Sequence, residues 1–305
     1  MKQIRLKGPA TTANVGPGYD IFAMAMAEPA DEFLLSRNES GLINIRVEGD
    51  QQNIPLTPQD NSAGLALLEL CKRKQVKCGF DITIIKKMPS GGGLGTTGAS
   101  AAAAIVGADR LLGLQMGPNE LIDIARMGEV ASGGSPHADN VAAAILGGFV
   151  LVKSYQPIDV LRLDIPEMPI VLGVIRKSQR STRGFITYEI GQENLKEQMA
   201  RCARVIHAIH SRDIEEFGSA ITVDHIAEPV RSAAIPNYRE IKLQILQAGA
   251  YGFNISGGGS SVFAVCPQDK QDEIALLMEQ AFSDNPHFVK VIKTHTSNLG
   301  VTVID

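Results

Sequence analysis

The stretch PSGGGLGTTGASAAAAIVGADRLLG, Pro89–Gly113, decides how this chain is read. Gly91, Gly92, Gly93 and Gly95 remove the Cβ atoms that would keep a backbone from wrapping around an oxyanion. The run then opens into an alanine-rich segment, and alanine is the best helix former. A helix starting near Thr97 aims its free N–H groups and positive dipole end at whatever the loop holds. Thr96 and Thr97 add hydroxyls suited to a phosphate oxygen or a metal ion. Together these features predict a polyphosphate cradle. The spacing is not the Walker pattern, because no Lys follows the last glycine, and it is not GxGxxG. A flexible turn before a core helix has the same local composition, so other segments must decide between the two.

Working outward, Phe80–Ile85 (FDITII) reads as a strand that delivers the chain into the loop. Asn61–Lys74 has apolar residues at helical spacing, with Asn61 as its N-cap. Ile4–Leu6, Glu32–Ser36 and Gly41–Glu48 read as strands, the last two as a pair. Phe149–Val152, Val171–Ile175, Val289–Thr296 and Gly300–Ile304 complete the strand set, with helices over Gln192–His210, Ile235–Ala248 and Glu273–Phe282. This order predicts an α+β chain of two lobes, 1–155 and 156–305.

Composition narrows the partners. The chain has 305 residues, 44% hydrophobic and 20% charged, enough for a sizeable core. A net charge of -4 argues against a nucleic-acid partner, which calls for a basic surface. Cys71, Cys78, Cys202 and Cys266 lack CxxC spacing and read as reduced thiols. No apolar run approaches the ~18–20 residues of a membrane span, and the N-terminus lacks an apolar signal region. The expectation is a soluble cytoplasmic protein with a small-molecule substrate and no membrane partner; a homodimer is left open.

Four further segments are unusual. ATTANVGPGYD carries Asn14 and Asp20 on a Gly/Pro-bounded turn. GEVASGGSPHADN carries Glu129, His137, Asp139 and Asn140; AEPVRSAAIPNY carries Arg231 after a Glu–Pro turn; and GAYGFNISGGGSSVFAV holds a second glycine cluster around Gly258. Singly, each has an ordinary explanation as a turn, a helix cap or a surface charge.

Together they resemble the GHMP small-molecule kinases, whose three motifs appear here in order as GPATTANVGPGYD, PSGGGLGTTGAS and ISGGGSSVFA. Within that family ANVGPGYDIF, SPHADNVAAAILGGF and AEPVRSAAIPNY look like the signatures of the homoserine kinases. The resemblance spans the whole chain. It implies an N-terminal lobe like ribosomal protein S5 domain 2, a ferredoxin-like C-terminal lobe, and ATP-dependent phosphorylation of the L-homoserine hydroxyl. ATP phosphates would lie along Pro89, Ser90, Gly91, Gly92, Gly93, Leu94, Gly95, Thr96 and Thr97, with Asn61 near the adenine. Thr97 and Glu129 would hold Mg²⁺. Asn14, Asp20, His137, Asn140, Thr182, Arg231 and Gly258 would surround the acceptor, Asp20 on its ammonium and Arg231 on its carboxylate. Asn140 would position the hydroxyl, and whether Asp139 acts as a base stays open.

The chain departs from the pattern in three places. GLGSSAA becomes GLGTTGA, which keeps both hydroxyls, and DNVAPA becomes DNVAAA. In RSTRGFITYE, Thr182 matches, but the second carboxylate-binding Arg of the usual STxEAR falls on Ile186. Arg183 or Arg180 would have to replace it; the alternative is a GHMP kinase for another small hydroxylated metabolite.

Overall fold

The computed structural model describes residues 2–50, 54–176 and 189–304. Among them two sheets form. The first has seven strands: β1 (Gln3–Ala13), β2 (Phe22–Asn38), β3 (Ile43–Gly49), β4 (Gly79–Lys86), β5 (Phe149–Tyr155), β6 (Ile158–Leu163) and β11 (Thr302–Val303). The second has four: β7 (Pro169–Ile175), β8 (Gly252–Ile255), β9 (Val262–Val265) and β10 (Phe288–His295), in the order β10-β7-β9-β8. With helices between β7 and β8 and between β9 and β10, that order is the ferredoxin-like arrangement.

The helices are α1 (Ser62–Lys74), α2 (Thr96–Leu112), α3 (Pro118–Ala125), α4 (Val130–Gly133), α5 (Asp139–Leu146), α6 (Gln192–Ser211), α7 (Ile214–Ile221), α8 (Glu228–Arg231), α9 (Tyr238–Gln247) and α10 (Gln271–Phe282). Helix α2 packs between β1 and β2 on one side and α1 and α5 on the other. Its alanines are buried, and small side chains let its axis come close to the sheet. Asn61 caps α1 as expected, its side-chain oxygen accepting from Ala63 N at 3.0 Å and Gly64 N at 3.3 Å.

Three features differ from the sequence expectations. β2 and β3 are not partners: β4 lies between them, antiparallel to β2 and parallel to β3. β1 runs on to Ala13, so ATTA is buried strand rather than turn. The first sheet also recruits strands from beyond residue 155, since β6 pairs with β5 and β11 with β1. One apolar cluster crosses between the sheets, joining Phe22, Met24 and Phe149 to Leu172, Val205 and Phe263. Phe149 meets Phe22 edge-on at 4.9 Å and Phe217 at 6.4 Å between ring centroids. The loops at this junction carry the unusual sequence segments.

Candidate active site

The three glycine-bearing motifs meet at Ser256. Its hydroxyl donates to the Gly93 carbonyl at 2.9 Å and lies 2.8 Å from Thr12 Oγ1, while Gly257 N donates to Ala13 O at 3.1 Å. The end of β1, the central loop and the second glycine cluster are thus bound into one floor. Thr11 and Thr12 satisfy their hydroxyls there, which is what permits two polar side chains in the buried end of β1.

The loop is cradle-shaped. Gly91, Gly93 and Gly95 all have positive φ, and a Cβ on Gly91 would meet nothing within 4 Å. At Gly95, the N-cap of α2, φ is +64° and a Cβ would stand 1.8 Å from Thr11 Oγ1. Only glycine fits there. Helix α2 therefore starts at Thr96 with no side chain capping its first N–H groups, leaving them for an anion. The strand exit is fixed by Asp31, whose Oδ1 accepts from Lys87 N and Met88 N at 2.8 Å each while Oδ2 pairs with Lys86 Nζ. Asp31 and Lys86 are buried, and the backbone bonds satisfy the carboxylate that burial would otherwise penalise.

Glu129 ends the 3₁₀ turn Arg126–Glu129 and is 5% exposed. Gly128 seats that turn: a Cβ there would be 2.3 Å from Ser62 O and 2.9 Å from Ala101 Cβ. The turn that ends in Glu129 packs against α1 and α2 and runs directly into α4. Asn140, on the first turn of α5, accepts from Thr11 Oγ1 at 2.7 Å and packs by Gly98. Asp139 is buried and accepts from Asn140 N at 2.7 Å.

The expected acceptor residues gather on the other side of the floor. Asn14 is 5% exposed at φ +68°; its amide donates to Gly257 O at 3.0 Å and accepts from Asp20 N at 3.0 Å. Val15 follows at φ +41°, a costly conformation for a β-branched residue, held because its side chain is buried in the core. Asp20 Oδ1 lies 3.7 Å from His137 Nδ1. Arg231, ending α8, donates to Gly257 O at 2.6 Å and lies over the Tyr19 ring, 5.5 Å from its centroid. Asn14 and Arg231 thus touch the second glycine cluster, where Gly258 is half-buried, while Asp20 is tied to it through Asn14 and His137 through Asp20. Thr182, Arg183 and Ile186 lie outside the described residues. Asn61 is different: its amide donates to Pro55 O at 2.8 Å while its oxygen caps α1, so it shapes the loop before the helix.

Several supporting residues carried no local signal. Tyr155 donates to the Asp20 carbonyl at 2.7 Å; burial, with the Asp139 and Asp20 charges, pushes its phenol well above the usual range, so it remains a donor. Arg126 donates to Pro136 O at 3.2 Å beside His137. Gln198 joins two loops, donating to Pro17 O at 2.7 Å and Asp224 Oδ1 at 2.9 Å. Asp224 receives the Ile226, Ala227 and Glu228 amides ahead of Arg231; burial raises its carboxyl pKa, and those bonds oppose the rise.

Known proteins resemble this chain in sequence and fold. The family model for the GHMP kinase N-terminal domain matches residues 61–148, and that for the C-terminal domain matches 205–284. The homoserine kinase of Methanococcus vannielii is 31% identical over 95% of this chain and 97% of its own length. That of Methanopyrus kandleri is 35% identical over 90% and 91%. The crystal structure of homoserine kinase from Cytophaga hutchinsonii superposes with a TM-score of 0.90 at 32% identity, covering 100% of this chain and 98% of that one. Site geometry, family models and near full-length relatives agree: the chain belongs to the GHMP kinases, among the homoserine kinases.

Proposed function

We propose that this chain transfers the terminal phosphoryl group of ATP to the side-chain hydroxyl of L-homoserine, giving O-phospho-L-homoserine. The observation that carries the reading is the shared floor at Ser256 and Gly257, with a glycine cradle on one side and Asn14, Asp20, His137 and Arg231 on the other. An anion-binding half and an amino-acid-binding half adjoin, as phosphoryl transfer requires.

The residues present fit a nucleotide and a divalent ion. Ser90 Oγ is buried with no hydrogen-bond partner among the described residues, and the first amides of α2 are uncapped. Thr97 and Glu129 offer the hard oxygens Mg²⁺ prefers, and the remaining ligands would be phosphate oxygens and water. When bound, the ion would neutralise charge on the phosphates. The glycine loop holds the donor and excludes water from it. Asp20, beside His137, takes the acceptor ammonium, and the forked Arg231 takes the carboxylate. Asn140, steadied by Thr11, orients the hydroxyl. The bond from Asn140 N supports a positional part for Asp139 at the start of α5. A loose phosphoryl transition state needs little activation of its nucleophile, so positioning can suffice.

No helix among the described residues is long and apolar enough to cross a membrane, and a cytoplasmic setting would suit an ATP-consuming step. The deciding experiment is ADP release from ATP and Mg²⁺ with L-homoserine, L-threonine, L-serine, mevalonate or pantoate as acceptor. Turnover should be fastest with L-homoserine. Faster turnover of another alcohol would favour a GHMP kinase for that metabolite, the outcome to which Ile186 in place of an Arg points.

A further inference from the structure

Asp50, just past β3, and Arg176, just past β7, form an ion pair that joins the two sheets beside the glycine loop. Arg176 Nη2 lies 2.7 Å from Asp50 Oδ2, and the same oxygen accepts a long bond from Ser90 N at 3.4 Å. Arg176 N donates to His287 O at 2.9 Å, so the residue extends the β7–β10 ladder. Two residues back, Val174 presses on the loop: a Cβ on Gly92 would stand 2.9 Å from Val174 Cγ1. A strand repeats every two residues, so Arg176 faces the loop from that same side.

The guanidinium is only half used. Nε and Nη2 form one edge of its fork, the edge that grips two oxygens of a carboxylate or phosphate side by side. Nη2 is on Asp50, whereas Nε is buried and has no hydrogen-bond partner among the described residues. Ser90 Oγ, a second buried group with no partner there, belongs to the same corner. Phosphates brought against Ser90 would place negative charge beside the Asp50 carboxylate, which repels it, and beside an arginine edge with a donor to spare.

Resting on the ATP-dependent reading above, we propose that Arg176 is a ligand of the nucleotide phosphates, with Asp50 as the partner it leaves when they arrive. Asp50 then acts against nucleotide binding and Arg176 acts for it. A simple latch between the sheets would instead make the two residues equivalent.

The test is calorimetric binding of ATP, ADP, AMP and adenosine to the wild-type chain and to Arg176→Gln, Arg176→Lys and Asp50→Asn, with thermal melts alongside. Arg176→Gln should weaken ATP and ADP by about tenfold or more, the loss of a charge-assisted contact, and adenosine by less than about twofold. Arg176→Lys should fall between, keeping the charge without the fork, and Asp50→Asn should tighten ATP and ADP. Where Arg176→Gln does not fold, Arg176→Lys and Asp50→Asn still give opposite signs. Unchanged ATP and ADP binding in the arginine variants, an equal loss for adenosine, or weaker ATP binding in Asp50→Asn would overturn the proposal. A wild-type chain that binds no adenine nucleotide would instead remove the kinase reading on which it rests.

Discussion

Asn14 and Arg231 share one acceptor: the Gly257 carbonyl receives Asn14 Nδ2 at 3.0 Å and Arg231 Nη1 at 2.6 Å. They lie on segments more than two hundred residues apart in the sequence, and each comes from a different lobe motif. A backbone carbonyl in the second glycine cluster therefore sets the distance between the turn bearing Asp20 and the arginine assigned to the carboxylate. In the proposed assignment, that cluster would act as a ruler for the acceptor.

Arg231→Leu should raise the KM for the acceptor by one to two powers of ten and leave that for ATP within about twofold. Losing a hydrogen bond to a charged group costs about 1.5–3 kcal/mol, and Arg231 bonds Gly257 of the second glycine cluster rather than a residue of the Pro89–Thr97 loop. Steady-state kinetics with each substrate varied in turn gives the split. Equal changes in both KM values would assign Arg231 to the Gly257 contact alone.

Glu129→Gln should lower kcat by about two powers of ten or more while the melting temperature changes little, as expected for a group facing developing charge. The isosteric amide keeps the turn seated by Gly128. Near wild-type turnover in the ADP-release assay would take Glu129 out of the metal site.

Gly95→Ala should abolish tight nucleotide binding. Its φ of +64° disfavours a side chain by about 1–3 kcal/mol, and the added Cβ would lie 1.8 Å from Thr11 Oγ1. Thr11 would have to release Asn140, so the acceptor side should suffer too. Gly113→Ala is the control: it also has positive φ, but its Cβ would meet nothing within 4 Å. It should cost stability without affecting ATP affinity.

Local signals were legible in the sequence and distant partnerships were not. Asn61 reads as a cap because its partners, Ala63 and Gly64, lie within three residues. The glycine loop and α2 are equally local. INIRVEG reveals a strand by its alternation, yet nothing in it says that β4, rather than β2, is its neighbour. ATTA reads as a turn because Thr11 and Thr12 are polar, and the partners that let them be buried, Asn140 and Ser256, are far away in sequence. Tyr155, Gln198 and Asp31 escaped for the same reason: Gln198 acts on Pro17, 181 residues distant. The chemical groups of a site can be named from motifs, but the residues that aim them emerge only once the chain is folded.

Tyr155→Phe tests one such residue. Losing its bond to the Asp20 carbonyl frees a residue held at φ +55° and should raise the acceptor KM about three- to tenfold, matching the roughly 0.5–1.5 kcal/mol of one neutral hydrogen bond. ATP binding should not move. A positioning role also predicts that Asp20→Asn and Tyr155→Phe are not additive, because both act on the same ammonium contact. Strict additivity in the double variant would make Tyr155 a structural residue of β5 alone.

The basic segment after β7 is where this chain leaves its family. Homoserine would need its carboxylate held, and the resemblance to the homoserine kinases puts Ile186 where a second arginine is expected. Arg183 is the better replacement, because it follows Thr182 directly, whereas Arg180 precedes it. Arg183→Ala should weaken homoserine by one to two powers of ten, the scale of one charge-assisted bond. Ile186→Arg should strengthen homoserine binding if the segment follows the family's course, and combined with Arg183→Ala it should recover part of the loss. The readout is kcat/KM for homoserine against that for a neutral alcohol of similar size, since only a carboxylate contact changes the ratio. If neither substitution moves that ratio and homoserine turns over no faster than the neutral alcohol, the acceptor carries no carboxylate at this position. The kinase would then serve another hydroxylated metabolite.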